Sequence, residues 1–375
     1  MILPAGRAVP RPPILAPVAS TEELRALEAR CTRFVQGHGR RTAADLLAEI
    51  PPDTELDRYG EGGVVTALEE RVAALLGTEA AAFLPSGTMA QQIALRVHAE
   101  ARGRRGVVFH PACHLDWHEG RGYERLHGLV ALQAGDLHRP LTREDLEAVA
   151  EAPAALLLEL PQRDLGGQLP SFPELEEMAA WARRRGAAVH MDGARLWEAA
   201  PFYERPLAEV AGLFDTVYVS FYKGLGALAG CALAGPAGTV AEVRGWRRRH
   251  GGTLYSMWPN AASAMAGLDR RLPRMGEYLA HARRIADLLG GLEGVRLLPE
   301  VPQAPMMHLF IEASREDFEA RVRRLAEDEG LFTWAATWPF ELPGVQRVEF
   351  SVGEATLALS PEEVSRAVRF LAGGA

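Results

Sequence analysis

Lys223 is the single lysine of a chain of 375 residues that carries 40 arginines. A composition rich in Arg, Ala and Gly swaps Lys for Arg wherever a surface cation is all that is needed. A position that keeps its lysine therefore needs something arginine does not offer. A guanidinium stays protonated at any pH a protein meets, whereas an amine can be desolvated, deprotonated and condensed with a carbonyl. The chemistry that most demands such an amine is an imine, either to a substrate carbonyl or to pyridoxal phosphate. A lysine surviving by chance is the competing reading, and the surrounding sequence decides between them.

From Val64 onward, short apolar runs alternate with helical stretches. Strands are expected at 80–85, 106–110, 154–160, 187–191, 215–221 and 230–235, with an extended run at 128–134. Helices are expected at 65–77, 88–102, 142–150, 172–185, 195–213 and 238–250. This alternation indicates an α/β fold whose mainly parallel sheet is covered on both faces. After a long helical region at 260–292, strands at 295–299, 306–312 and 345–352 and helices at 315–329 and 361–372 suggest a smaller α+β unit. Upstream, a Pro-rich arm leads to Ser20-Thr21-Glu22-Glu23, a capping box for a helix reaching about Arg33. A second helix over 42–50 stops at Pro51-Pro52. The division expected is an arm with helices over 1–54, a large domain over 55–255 and a small C-terminal domain over 256–375.

In an open parallel sheet, ligands bind outside the carboxyl ends of the strands. Ser86-Gly87-Thr88, His114, Asp192 and Lys223 all follow such ends. Each has a task if the ligand is pyridoxal phosphate. Ser86, Gly87 and Thr88 open a helix and offer N–H groups and hydroxyls to a phosphate, although the same triplet also serves as a plain helix cap. Asp192 would keep the pyridine nitrogen protonated, and an Asp there also caps a helix. Arg195 could reach the same cavity and pair with a substrate carboxylate, the alternative being a surface arginine. His114 could stack on the ring and carry protons, or be a structural histidine. Gly224 and Gly226 permit close backbone approach or form a simple turn. Cys113, beside His114, reads as a small residue in a packed loop.

These residues carry a resemblance. The matching stretches are Tyr59-Gly60-Glu61, Glu79 through Ala90, His114 with Glu119, Gly166-Gly167, His190-Met-Asp-Gly-Ala-Arg-Leu-Trp197 and Lys223-Gly-Leu-Gly226. In this order, over about residues 57–255, the chain resembles the threonine aldolase/β-eliminating lyase family of pyridoxal-phosphate enzymes, which have the aspartate-aminotransferase fold. The resemblance implies that Lys223 is the Schiff-base lysine, Asp192 the pyridinium partner and His114 the ring-stacking histidine. It implies a phosphate cup from Ser86, Gly87 and Thr88, and an α-carboxylate site at Arg195. Arg347 matches, less closely, a C-terminal arginine that serves the same carboxylate. Three departures stand out. Helices and Gly37-His38-Gly39 replace the family's opening substrate strand, Tyr222 precedes the lysine where Ser is usual, and Gly251 through Ser256 lacks the arginine that reaches a neighbouring subunit's phosphate.

The activity expected is cleavage of a β-hydroxy-α-amino acid to glycine and an aldehyde, with His114 or a water it holds as base and Glu119 orienting its neighbours. β-Elimination to pyruvate and ammonia, through the α-proton, uses the same residues and stays open. A non-catalytic binding protein keeping the fold is the reading from another class, and the intact Asp192, Arg195 and Lys223 speak against it. A homodimer or homotetramer is implied by the family. The net charge of −8 without a basic block argues against nucleic acid. No apolar run reaches the ~20 residues of a membrane span, and prolines break the N-terminus too often for a signal peptide. Cys31, Cys113 and Cys231 are odd in number and lack a CxxC pair, which fits a reducing cytoplasm and argues against a disulfide framework or a structural zinc.

Overall fold

Runs such as Ala155–Glu159 and Thr216–Ser220 show no alternation of polar and apolar residues, and every residue in them is buried. Strands of that kind need cover on both faces. The computed structural model describes residues 22–335, 337 and 342–374. In chain order its strands are β1 (Arg33–Phe34), β2 (Ala80–Leu84), β3 (Gly106–Phe109), β4 (Val130–Gln133), β5 (Ala155–Glu159), β6 (Ala188–Gly193), β7 (Thr216–Ser220) and β8 (Cys231–Gly235). They continue with β9 (Val295–Leu298), β10 (Met306–Glu312), β11 (Leu331–Phe332) and β12 (Val345–Ser351).

The central sheet has seven strands in the order β2-β8-β7-β6-β5-β3-β4. Strands β3 to β7 are paired in parallel, and β8 runs antiparallel to both β7 and β2. β2 therefore points the same way as the parallel set. The chain segments after β2, β3, β6 and β7 all emerge on one rim, and these are the segments that carry Ser86, His114, Asp192 and Lys223.

Both faces are covered. Ala81 and Phe83 of β2 join a core with Val65 and Leu68 of helix Gly63–Leu76, while Ala82 and Leu84 face Ala90 and Ile93 of helix Gly87–Arg102. The first of these cores runs on through Met307, Leu309 and Ile311 of β10 and Val348 and Phe350 of β12. Those strands belong to a three-stranded antiparallel sheet, β12-β10-β9.

Three elements differ from the sequence expectation. Helix Glu22–Glu28 stops short of Arg33, because Arg33 and Phe34 pair in parallel with Leu331 and Phe332 and extended backbone delivers Val35 fully buried into the core. The Ser20-Thr21 half of its capping box lies outside the described residues. The expected helix 195–213 is two helices, Leu196–Tyr203 and Leu207–Ala211, split where Glu204 turns left-handed (φ 52°) ahead of Pro206. The region 260–292 is likewise divided into Trp258–Arg271 and Met275–Leu289 by a tight turn through Pro273. Among the described residues no helix is long and apolar enough to cross a membrane.

Candidate active site

β7 ends at Ser220, and the chain turns through Lys223. Gly226 takes φ +61°, which lets its N–H donate back to the Lys223 carbonyl at 2.8 Å. Gly224 is equally constrained, since a Cβ there would lie 2.3 Å from the Glu198 carboxyl carbon. Three successive carbonyls of the turn are held by side-chain donors. His38 Nε2 donates to Gly224 O at 2.9 Å, Arg271 Nη1 donates to Leu225 O at 3.1 Å, and Arg41 donates to Gly226 O. Trp197 Nε1, fully buried, donates to Ser220 O at 2.9 Å and ties the Asp192–Arg195 segment to the same turn. The lysine thus projects from a rigid base. Burial first, and then the Arg195 guanidinium, lower its pKa from the ordinary amine value, against the opposing pull of Asp192.

Asp192 is 2 % exposed at the end of β6, and its Oδ1 accepts the Ala194 N–H at 3.1 Å. Burial raises its pKa, while Lys223 and His114 favour its charged form. Helix Gly87–Arg102 begins at Ser86 with no side-chain cap, so its first N–H groups face the rim. Gly87 is required there, because a methyl group would stand 2.1 Å from the Tyr218 hydroxyl. His114 Nδ1 lies 3.2 Å from Glu119 Oε1. Burial holds His114 down at about 4 and pushes Glu119 up to about 7, with Lys223 and the Thr88 hydroxyl restraining the latter. The His118 ring sits 4.9 Å from that of His114 and contacts Asp164 Oδ2 at 2.8 Å.

Beyond Lys223 lies a cavity of about 210 Å³. Its lining includes Gln36, His38, Arg195, Glu198, Met306 and Glu349. Arg195 Nη2 donates to Glu349 Oε1 at 2.7 Å, and Arg163 Nε donates to Glu349 Oε2 at 2.7 Å. Burial alone would raise Glu349, but the two guanidiniums overcome it and hold the carboxyl at about 2. Arg347 is on the same face of β12 as Glu349 but is not among the lining residues; its charge neighbours are Asp164, Arg163 and Glu349. The fold thus brings Ser86, Gly87, Thr88, His114, Asp192, Lys223 and Arg195 to one rim, with Arg347 outside the cavity lining.

The β-eliminating lyase family profile matches residues 41–312. The chain belongs to that family. It is 32% identical over 257 residues to the low specificity L-threonine aldolase of Escherichia coli K12, covering 67% of this chain and 76% of that protein. A low-specificity L-threonine aldolase of Arabidopsis thaliana is 27% identical over 299 residues, 76% of this chain and 83% of its own length. The crystal structure of a candidate L-allo-threonine aldolase from Listeria monocytogenes superposes with a TM-score of 0.87 at 37% identity, over 93% of this chain and 98% of that one. This lyase has the pyridoxal-phosphate-dependent transferase-like fold, and pyridoxal phosphate is its cofactor. The residues present fit that group. An uncapped helix start held close by Gly87, a buried carboxylate at Asp192 and an amine on a braced turn supply an anion cradle, an acid partner and an attachment point.

Several residues of the lyase site carry little signal in the sequence. Glu159 ends β5 directly beside Asp192 in register. Its oxygens accept the His114 and Arg163 N–H groups at 3.2 and 3.0 Å, so it sets the start of both segments. Burial and the adjacent Asp192 carboxylate raise its pKa. An acid closing the apolar run Ala155–Leu158 was the available hint. His38 follows the short strand β1 and holds the lysine turn through Gly224 O, a contact that the sequence stretch Gly37-His38-Gly39 does not announce. Glu349 and Arg163 lie too far apart in sequence to suggest a pair.

Proposed function

We propose that this lyase cleaves the Cα–Cβ bond of a β-hydroxy-α-amino acid to give glycine and an aldehyde. The observation that carries this reading is the neutral, half-buried His114 backed by Glu119 on the rim that also bears Lys223 and Asp192. When bound, pyridoxal phosphate supplies an electron sink conjugated to Cα. Lys223 would hold it covalently, the Ser86-Gly87-Thr88 helix start would take its phosphate, and Asp192 would accept the ring N–H. His114 would pack against the ring face. With its Nδ1–H donated to ionised Glu119, His114 keeps an Nε2 lone pair that can take the proton of the β-hydroxyl group. The names of the relatives support the same chemistry. The test is to offer threonine, allo-threonine, phenylserine, serine and cysteine and to measure glycine, aldehyde, pyruvate and ammonia separately. Glycine with aldehyde is expected; pyruvate and ammonia without glycine would establish β-elimination instead.

Arg195 is proposed to bind the α-carboxylate, with Arg347 contributing charge from behind. Glu349 fixes the orientation of the Arg195 guanidinium, so its remaining N–H groups meet the incoming carboxylate already aligned. A charged pair in a partly dry site is worth roughly 2–5 kcal/mol, so Arg195→Ala should weaken amino-acid binding by tens-fold or more. The absorbance of the bound cofactor should barely change. Loss of cofactor with unaltered amino-acid affinity would reverse the assignment.

We further place the lyase in a homodimer or homotetramer with the site near a subunit boundary. Exposed apolar side chains support this: Tyr222 next to the lysine is 45% exposed, and Leu254 and Tyr255 are 43% and 62% exposed. Light scattering should give a dimer or tetramer, and a fully active monomer would refute it. Three free thiols support a reducing, cytoplasmic location, which cell fractionation would check.

A further inference from the structure

Tyr218 lies midway along β7, in register with Asp192 of β6, so the two side chains stand beside each other on one face of the sheet. Helix Gly87–Arg102 covers that face, and the Tyr218 ring shares a core with Leu84, Ala90, Ile93 and Cys231. Its phenol oxygen reaches the start of the helix. A Cβ on Gly87 would come within 2.1 Å of the hydroxyl and 2.8 Å of Cζ, the ring carbon that bears it. Tyr218 thus spans the interval between the Asp192 carboxylate and the first helical turn.

The residue is only 3% exposed, yet its hydroxyl makes no hydrogen bond to a described residue. A buried phenol ordinarily finds a partner. Burial first, and then nearby acidic groups that include Asp192 and Glu119, push its pKa well above the ordinary phenol value, so the group is a donor and not an anion. The helix start beside it is also made of donors. Ser86 supplies no side-chain cap, which leaves the first-turn N–H groups open. The Thr88 hydroxyl spends its proton on Glu119 and is turned away from this task. A protonated phenol and open helical N–H groups meeting at Gly87 are matched by one kind of guest, an anion with several acceptor oxygens.

We propose that the Tyr218 hydroxyl donates a hydrogen bond to the phosphate of pyridoxal phosphate, as a further member of the anion cradle at Ser86-Gly87-Thr88. This rests on the reading of that helix start as the phosphate site and is independent of which bond the lyase breaks. The experiment titrates the full-length protein, resolved of its cofactor, with pyridoxal phosphate and with pyridoxal, which lacks the phosphate, and takes dissociation constants from the visible band. Tyr218→Phe removes one oxygen and keeps the ring in its apolar bed. It should weaken binding of pyridoxal phosphate by about ten-fold or more, the loss of one hydrogen bond to a charged group, and leave that of pyridoxal unchanged. Equal weakening of both would mean that the hydroxyl serves the ring or the fold, and it overturns the proposal. An unchanged affinity for pyridoxal phosphate in the variant overturns it too, provided that the native protein prefers the phosphorylated form. A native protein that binds both forms equally would overturn the cradle itself, and the Tyr218 assignment with it.

Discussion

Lys223→Arg is expected to abolish turnover and to remove the visible band, at about 420 nm, of the protonated imine between enzyme and cofactor. The substitution retains a cation of similar reach, so any loss is chemical rather than electrostatic. The guanidinium cannot lose its proton at working pH and cannot condense with the aldehyde. Because the chain contains one lysine, borohydride reduction of the loaded native protein should fix the cofactor to a single peptide, the one containing Lys223. A native protein that stays colourless after addition of pyridoxal phosphate would defeat the cofactor assignment for this site.

The second large effect concerns His114 and Glu119. Glu119 has its pKa raised to about 7, first by burial. Below that pH its carboxyl carries a proton and donates it to His114 Nδ1, which places the imidazole hydrogen on Nε2 and ends its ability to act as a base. Above it, ionised Glu119 accepts Nδ1–H and the Nε2 lone pair is free. Activity should therefore rise as pH increases through about 7, although His114 itself, held at about 4, is already neutral. Glu119→Gln should erase this limb of the kcat/KM profile. On the proposed assignment, His114→Phe would keep a ring over the cofactor and remove the base, so kcat should fall by roughly 10²–10⁴ while the visible band remains. An ascending limb near pH 4 alone in the native protein would remove the control by Glu119, and a His114→Phe variant with unchanged kcat would remove His114 from the proton-transfer step.

The central sheet and the residues on its rim are legible from consecutive residues. Strand-to-helix alternation is a local signal, because each buried strand and each capped helix is written in five to fifteen consecutive residues. Parallel connections then force the segments after β2, β3, β6 and β7 to one side, so Ser86, His114, Asp192 and Lys223 could be brought together on paper without any distance. Thr42 with Asp45 and Ser171 with Glu174 close the capping boxes that start their helices, contacts three residues apart. What surrounds that rim comes from contacts between distant segments. Arg33-Phe34 is a strand only because Leu331-Phe332 lies beside it, and His38 reaches Gly224 across 186 positions. Arg195 and Glu349, 154 apart, meet in the same way. None of these contacts leaves a periodicity or a spacing to read. The acid–base settings followed the same division. His114 and Glu119 are five residues apart and legible as a pair, yet their opposite shifts come from burial, and burial is a property of everything packed around them.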